Sequence, residues 1–150
     1  GGAVFEVLAP LDPPDPKSQS NNDSLVLRVR FGRHAFLLPG DIERLIERRL
    51  LAGGTDVRAH VLKVPHHGSA RSNAPDFLDA VDPAVALISA AGSDWMRRPS
   101  DKVVDALRQR RVLVLRTDRD GLIWLRSDGK YLSPGALRWM AGDLGLLDPF

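Results

Sequence analysis

Val61-Leu62-Lys63-Val64-Pro65-His66-His67-Gly68-Ser69 is the stretch on which the reading of this chain turns. A short apolar run rich in β-branched residues reads as a buried strand, and the proline that follows has no N–H with which to continue a ladder. Two imidazoles and a glycine come next. Successive side chains on a strand point to opposite faces, so one histidine of the pair is expected to aim into a cleft while the other points away or braces it. Any chemistry the chain carries is expected here.

Upstream, residues 3–8 read as a strand that enters directly, with Gly1-Gly2 as a cut site and the start of the fold expected to lie earlier. Residues 9–22 contain Pro10-Leu11-Asp12-Pro13-Pro14-Asp15-Pro16, which cannot pair as a central strand and reads as a surface loop. Residues 24–31 and 34–38 form a predicted hairpin across Gly32-Arg33. Gly40 then lets the backbone turn, and Asp41 is expected to cap a helix over 42–51 whose apolar positions are Ile42, Leu45, Ile46 and Leu50, ended by Gly53-Gly54.

Downstream, a short helix is expected over 75–81 with Asp76 and Asp79 toward solvent. A strand follows over 84–89, then a helix from Pro99 to about 111 and a strand over 112–116. Strands alternating with helices mark an α/β fold. Thr117-Asp118-Arg119-Asp120-Gly121 turns the chain into a strand over 122–126, and Asp128-Gly129 is a hairpin signal. Residues 134–144 are expected to form an amphipathic helix through Leu137, Met140 and Leu144, within a C-terminal helix or tail over 131–150.

The 150 residues make one domain's worth of chain, long enough to bury a core. With no cysteine, disulfides, thiolate metal sites and thiol nucleophiles are excluded, so a metal would have to be held by histidine and carboxylate. The net charge of +2 is too small for a histone-like polycation. No run approaches the roughly 20 apolar residues of a membrane helix, and nothing at the start has the pattern of a signal peptide, so this piece is not expected to span a bilayer.

Asp41, His66-His67 and the pair Asp118 and Asp120 each lie just past the C-terminal end of an expected strand, on the rim where α/β proteins place ligands. A carboxylate and an imidazole from neighbouring strand ends would suit Zn²⁺, Mn²⁺ or Fe, and a metal-activated water could then hydrolyse a substrate. Each residue also has a plainer use. Asp41 alone reads as a helix cap; the histidines either hold a metal or bond the loop backbone. Asp118 and Asp120 read as turn formers. His34 and His60 read as structural or surface residues. Arg97 and Arg98, with Arg108, Arg110 and Arg111, form either a basic patch for phosphates or a solvated face. Trp95 sits in a rim turn, for packing or for stacking on a base.

Taken in order, Asn21-Asn22-Asp23-Ser24-Leu25-Val26-Leu27, Leu37-Leu38-Pro39-Gly40-Asp41, the 61–69 stretch and Arg116-Thr117-Asp118-Arg119-Asp120-Gly121 resemble the C-terminal half of the metallo-β-lactamase-like domain of ComEC/Rec2 DNA-internalisation competence proteins. The resemblance covers about residues 3–130. It implies part of an αββα sandwich, a mixed sheet with flanking helices, in which Asp41 bridges two metals and His66, more than His67, is a further ligand. It also implies a divalent metal, Zn or Mn, in the complete domain; in this fragment, where one carboxylate and one or two imidazoles leave most coordination positions to water, weak binding or none is expected. The parent would be an inner-membrane channel protein that carries one strand of transforming DNA inward, this soluble domain being a nuclease for the other strand.

Two features depart from the family pattern. No His-x-His-x-Asp-His segment is present, and Arg98-Pro99 stands where relatives carry histidine before proline; arginine cannot ligate a metal. The expectation is therefore either a fragment of a metal-dependent DNA phosphodiesterase or a non-catalytic module with a degenerate site. Such a module would bind DNA weakly through Arg97 and Arg98, or dock on the channel. A third expectation is self-association through an exposed apolar sheet face.

Overall fold

Strand pairing follows the order of the chain. The computed structural model describes residues 2–10, 20–91, 98–140 and 143–146. Its larger sheet contains β1 (Val4–Ala9), β2 (Val26–Phe31), β3 (His34–Leu38), β4 (Val61–Lys63), β5 (Val85–Ile88) and β6 (Leu113–Arg116), in that spatial order. The first three strands form an antiparallel meander, and from β3 onward each neighbour is parallel. This is the expected α/β architecture, a mixed sheet flanked by helices.

The change of pairing follows from the connections. Gly32 and Arg33 suffice to reverse the chain between β2 and β3, with Gly32 at φ +57°. A parallel neighbour instead needs a crossover. Those crossovers contain α1 (Arg44–Ala52), α2 (Pro75–Val81) and α3 (Asp101–Gln109).

The register assigns each face of the sheet. One row runs Glu6, Arg28, Leu37, Leu62, Ala86, Val114; the next runs Phe5, Val29, Phe36, Val61, Val85, Leu113. Leu37, Leu62 and Ala86 join Ile46 and Leu50 of α1, Phe77 and Leu78 of α2, and Val104 and Leu107 of α3 in one continuous core. Burying a Leu or Phe side chain of this kind contributes about 1.5–3 kcal/mol. The second row is buried at its centre, at Val61 and Val85, while Phe5 and Leu113 at the two edge strands are exposed. Apolar residues on both faces are what central parallel strands require.

After β6 a single helical turn, α4 (Thr117–Asp120), leads into an antiparallel sheet of β7 (Leu122–Ser127), β8 (Leu132–Met140) and β9 (Asp143–Leu146). The described residues of the segment expected as a helix, 134–140 and 143–144, are thus strand. Pro134 and Gly135 are poor helix formers. Gly135 lies opposite Trp124 in the ladder, and a Cβ there would stand 2.5 Å from the indole Cε2, so the ring lies against bare backbone. The two sheets meet at the β2–β3 turn, where the Arg33 N–H donates to the Gly129 carbonyl and His34 Nδ1 lies 2.8 Å from Ser127 Oγ. His34 is structural, as expected. Most of the proline-rich loop falls outside the described residues. Among the described residues no helix is long and apolar enough to cross a membrane.

Candidate functional site

Because β3 and β4 are parallel neighbours, the turns that leave them open on the same rim of the sheet. Asp41 follows one strand and the histidine pair follows the other. Their separation in sequence is closed by the pairing of Phe36 with Val61 and Leu37 with Leu62.

Gly40 has φ +62°, and a Cβ there would lie 2.7 Å from Ser24 Cβ. The turn therefore needs glycine. Ser24 Oγ donates to the Asn21 carbonyl at 2.7 Å and accepts the Asp41 N–H at 3.1 Å; the Asn22 side-chain carbonyl accepts the Glu43 N–H at 3.0 Å. The Asn-Asn-Asp-Ser segment is thus the clamp on the Gly-Asp turn. Replacing Ser24 with alanine leaves the Asp41 amide without this acceptor. We expect a loss of about 1 kcal/mol and faster hydrogen exchange at that amide, measured by thermal denaturation and NMR.

Asp41 is not a helix cap. The helix begins at Arg44 with Glu43 as its flanking residue and no side-chain cap, because Asn22 and the Arg71 carbonyl take the amides of Glu43 and Arg44. The Asp41 carboxylate is left for the rim. Its Oδ1 lies 3.5 Å from Lys63 Nζ and its Oδ2 lies 3.6 Å from His67 Nε2. Lys63 Nζ also donates to the Gly40 carbonyl at 3.3 Å. A lysine within an apolar strand was the sequence signal for this contact.

The histidines stand on a turn, not on the strand, which ends at Lys63. His66, His67 and Gly68 have φ of +49°, +56° and +79°, so three successive residues are left-handed. The turn separates the two rings. His66 is buried, with Nδ1 3.5 Å from Glu43 Oε1 and without a hydrogen-bond partner. His67 Nδ1 lies 2.8 Å from the Ser89 carbonyl oxygen. A carbonyl only accepts, so Nδ1 carries a proton, and Nε2 is the ring nitrogen that faces Asp41. The ring beside the carboxylate is thus His67, where the resemblance favoured His66.

Neighbouring segments lock the turn. The His66 N–H donates to the Gly40 carbonyl at 3.2 Å and the Ser100 N–H to the Gly68 carbonyl at 2.9 Å. A Cβ on Gly68 would stand 2.6 Å from Pro99 Cβ, which also brings the adjoining Arg98 to this rim. Asn73 Nδ2 donates to the Pro65 and Ser69 carbonyls, both at 3.3 Å. Asn73 is in turn held by Glu47, whose carboxylate accepts the Asn73 N–H at 2.6 Å and the Ala74 N–H at 3.0 Å. Sequence reasoning singled out only the apolar positions of this helix and so missed the Glu47 brace.

Asp118 and Asp120 serve the backbone and its own arginine. Asp120 accepts the Arg116 N–H at 2.6 Å, and Asp118 is bidentate with the Arg116 guanidinium at 3.0 and 2.6 Å. That hydrogen-bonded guanidinium holds the Asp118 carboxyl below its usual range. Arg97 and Trp95 fall outside the described residues. Among the described residues, no three histidine, aspartate or glutamate side chains converge on a metal position. Asp41 and His67 supply two neighbouring donors, which is part of a metal site and not a whole one.

Comparison with curated proteins finds similarity over most of the chain. It is 39% identical over 122 residues to ComE operon protein 3 of Bacillus subtilis, and 33% identical over 123 residues to Competence protein ComA of Neisseria gonorrhoeae, each match covering 81% of the chain. It is 30% identical over 122 residues, again 81% of the chain, to Recombination protein 2 of Haemophilus influenzae. The matched stretches are 16%, 18% and 15% of those proteins, so the chain spans less than a fifth of their length. No protein-family model matches the chain.

Proposed function

The chain belongs, over this segment, to the ComEC/Rec2 family of competence proteins, and from that premise we propose that it takes part in DNA uptake for natural transformation. In this reading it is the C-terminal part of a metallo-β-lactamase-like domain, a soluble portion of an inner-membrane channel protein, and the domain is a metal-dependent DNA phosphodiesterase. The observation that carries the reading is the meeting of Asp41 with His67 on one rim, by turns that the family-like motifs build.

A carboxylate oxygen and an imidazole lone pair 3.6 Å apart repel unless a proton or a cation stands between them. A divalent Zn or Mn ion would meet that need, its remaining ligands coming from outside these residues, and when bound it would activate water and neutralise charge on a phosphodiester. Asp41 donates the carboxylate. His67 is the donor from the turn, oriented by Ser89. His66 supports from behind, held against Glu43, and Lys63 offsets the charge of Asp41.

The test is made in the complete parent protein in a transformable host. Asp41→Ala and His67→Ala are each expected to lower the frequency of transformation by about 10- to 100-fold, the loss typical when the shell of a metal site is disturbed. Metal-dependent cleavage of labelled DNA by the purified parent should fall in parallel. Equal cleavage by the wild type and the Asp41 variant would remove Asp41 from the mechanism.

A further inference from the structure

At the opposite end of the same strands, a cleft of about 410 Å³ is lined by Arg28 and Arg30 of β2, Arg33 of the β2–β3 turn, Arg58 and His60 ahead of β4, and Asp82 at the end of α2. We infer that this cleft binds phosphodiester groups of a DNA strand, at a position separate from Asp41 and His67. The inference rests on the DNA-handling reading above and adds to it a backbone-binding site.

The arginines divide into a fixed one and three that keep donors to offer. Arg28 is almost buried and each of its three guanidinium nitrogens is engaged, with Glu6 at 3.3 Å, Asp56 at 2.8 Å and the Arg58 carbonyl at 3.0 Å. It fixes the floor. Arg30, half-exposed, meets Glu6 through one nitrogen at 2.9 Å, and Arg58, 72% exposed, meets Asp82 through one nitrogen at 2.6 Å. Each guanidinium has five N–H donors, so both keep several for a ligand while a carboxylate holds the group in place. Arg33 is exposed on the turn between them.

His60 adds a neutral donor. Its Nδ1 accepts the Ala35 N–H at 3.0 Å, which puts the ring proton on Nε2 in the neutral tautomer. Its ring is held edge-on to that of buried His34, with centroids 5.6 Å apart. Glu6, Asp56 and Asp82 pair with Arg28, Arg30 and Arg58, and Asp128 lies near His34 by the Arg33 turn, so the cleft offers donors held by carboxylates more than a large excess of charge. The forked donors that remain match the oxygens of a phosphodiester.

The experiment is titration of the full chain with a fluorescent single-stranded oligonucleotide, read by anisotropy at several salt concentrations. The double variant Arg33→Ala/Arg58→Ala is compared with Arg48→Ala/Arg108→Ala, which removes the same charge from exposed helix positions away from the cleft. Each phosphate contact on a single strand contributes about 0.7 to the slope of log affinity against log salt. The cleft variant is therefore expected to reduce that slope by about 1.4, while the helix variant leaves it unchanged. Equal loss in both variants, or no loss in either while the wild type binds, overturns the cleft and leaves the DNA-handling reading standing. Absence of binding by the wild type at low salt overturns both.

Discussion

Replacing Glu47 with alanine is expected to destabilise the chain by about 3 kcal/mol, because the buried amides of Asn73 and Ala74 lose their acceptor together and each such loss costs about 1–3 kcal/mol. The damage should not stay in α1. Asn73 holds the carbonyls of Pro65 and Ser69, so the histidine turn loosens when Asn73 does. Denaturant unfolding measures the first effect, and amide exchange at Gly68 and Ser69 measures the second. Unchanged exchange in a destabilised variant would show that Glu47 supports the helix alone.

The same residue gives stability a pH dependence of definite sign. Burial pushes the Glu47 carboxyl up to about 7 from 4.5, against the lowering effect of the two amides and of Arg44. Between those values the folded chain keeps the proton and the unfolded chain releases it. Folding is then favoured by acid: the contribution is complete below 4.5, declines at up to about 1.4 kcal/mol per pH unit as pH rises, and is gone above 7. Glu47→Gln should flatten this part of the stability profile. A wild-type profile that rises steadily from pH 4.5 to 7 would contradict the assignment.

Gly68→Ala is expected to cost about 2–5 kcal/mol. A left-handed conformation costs a residue with a Cβ about 1–2 kcal/mol, and intrusion into packed space adds about 1–3. Both apply, since Gly68 has φ +79° and the new Cβ would stand 2.6 Å from Pro99 Cβ, part of a rigid ring. His66 and His67 already occupy the left-handed region, so the turn has little freedom left with which to yield. The unfolding midpoint in denaturant is the readout, and near-wild-type stability would mean that Pro99 moves aside.

The sequence reading recovered what periodicity and punctuation govern. The hairpin over β2 and β3, the helix at 75–81, and the buried strands before Pro65 and after Asp82 follow from apolar patterns bounded by glycine and proline. It failed where the deciding partner is distant. Asp41 has the local look of a cap, but Asn22 and Arg71 supply what the helix start needs. Glu47 has the look of a solvent-facing residue, but the loop at 73–74 brings two amides over it. Leu137, Met140 and Leu144 suit a helix by spacing, yet Trp124 claims the surface of Gly135 and the segment pairs as strand. The two histidines are a similar case. Strand alternation predicts that they diverge, and they do, but through a left-handed turn that sends His67 toward Asp41 and His66 inward.

Each strand of the larger sheet pairs with the strand immediately before it, and this has a kinetic consequence. No strand must wait for a distant part of the chain, since the successive closures run only from Leu38 to Val61, from Lys63 to Val85 and from Ile88 to Leu113. The hairpin of β2 and β3 can form as a seed, and each helical crossover then delivers the next strand to an edge that already exists. Loop-closure entropy is met in small instalments instead of one large one, which favours rapid assembly. The rim that carries Asp41 and the histidines begins to form when β4 docks, and it is completed only when β5 brings the Ser89 carbonyl to His67 and the next crossover brings Pro99 and Ser100 to the turn.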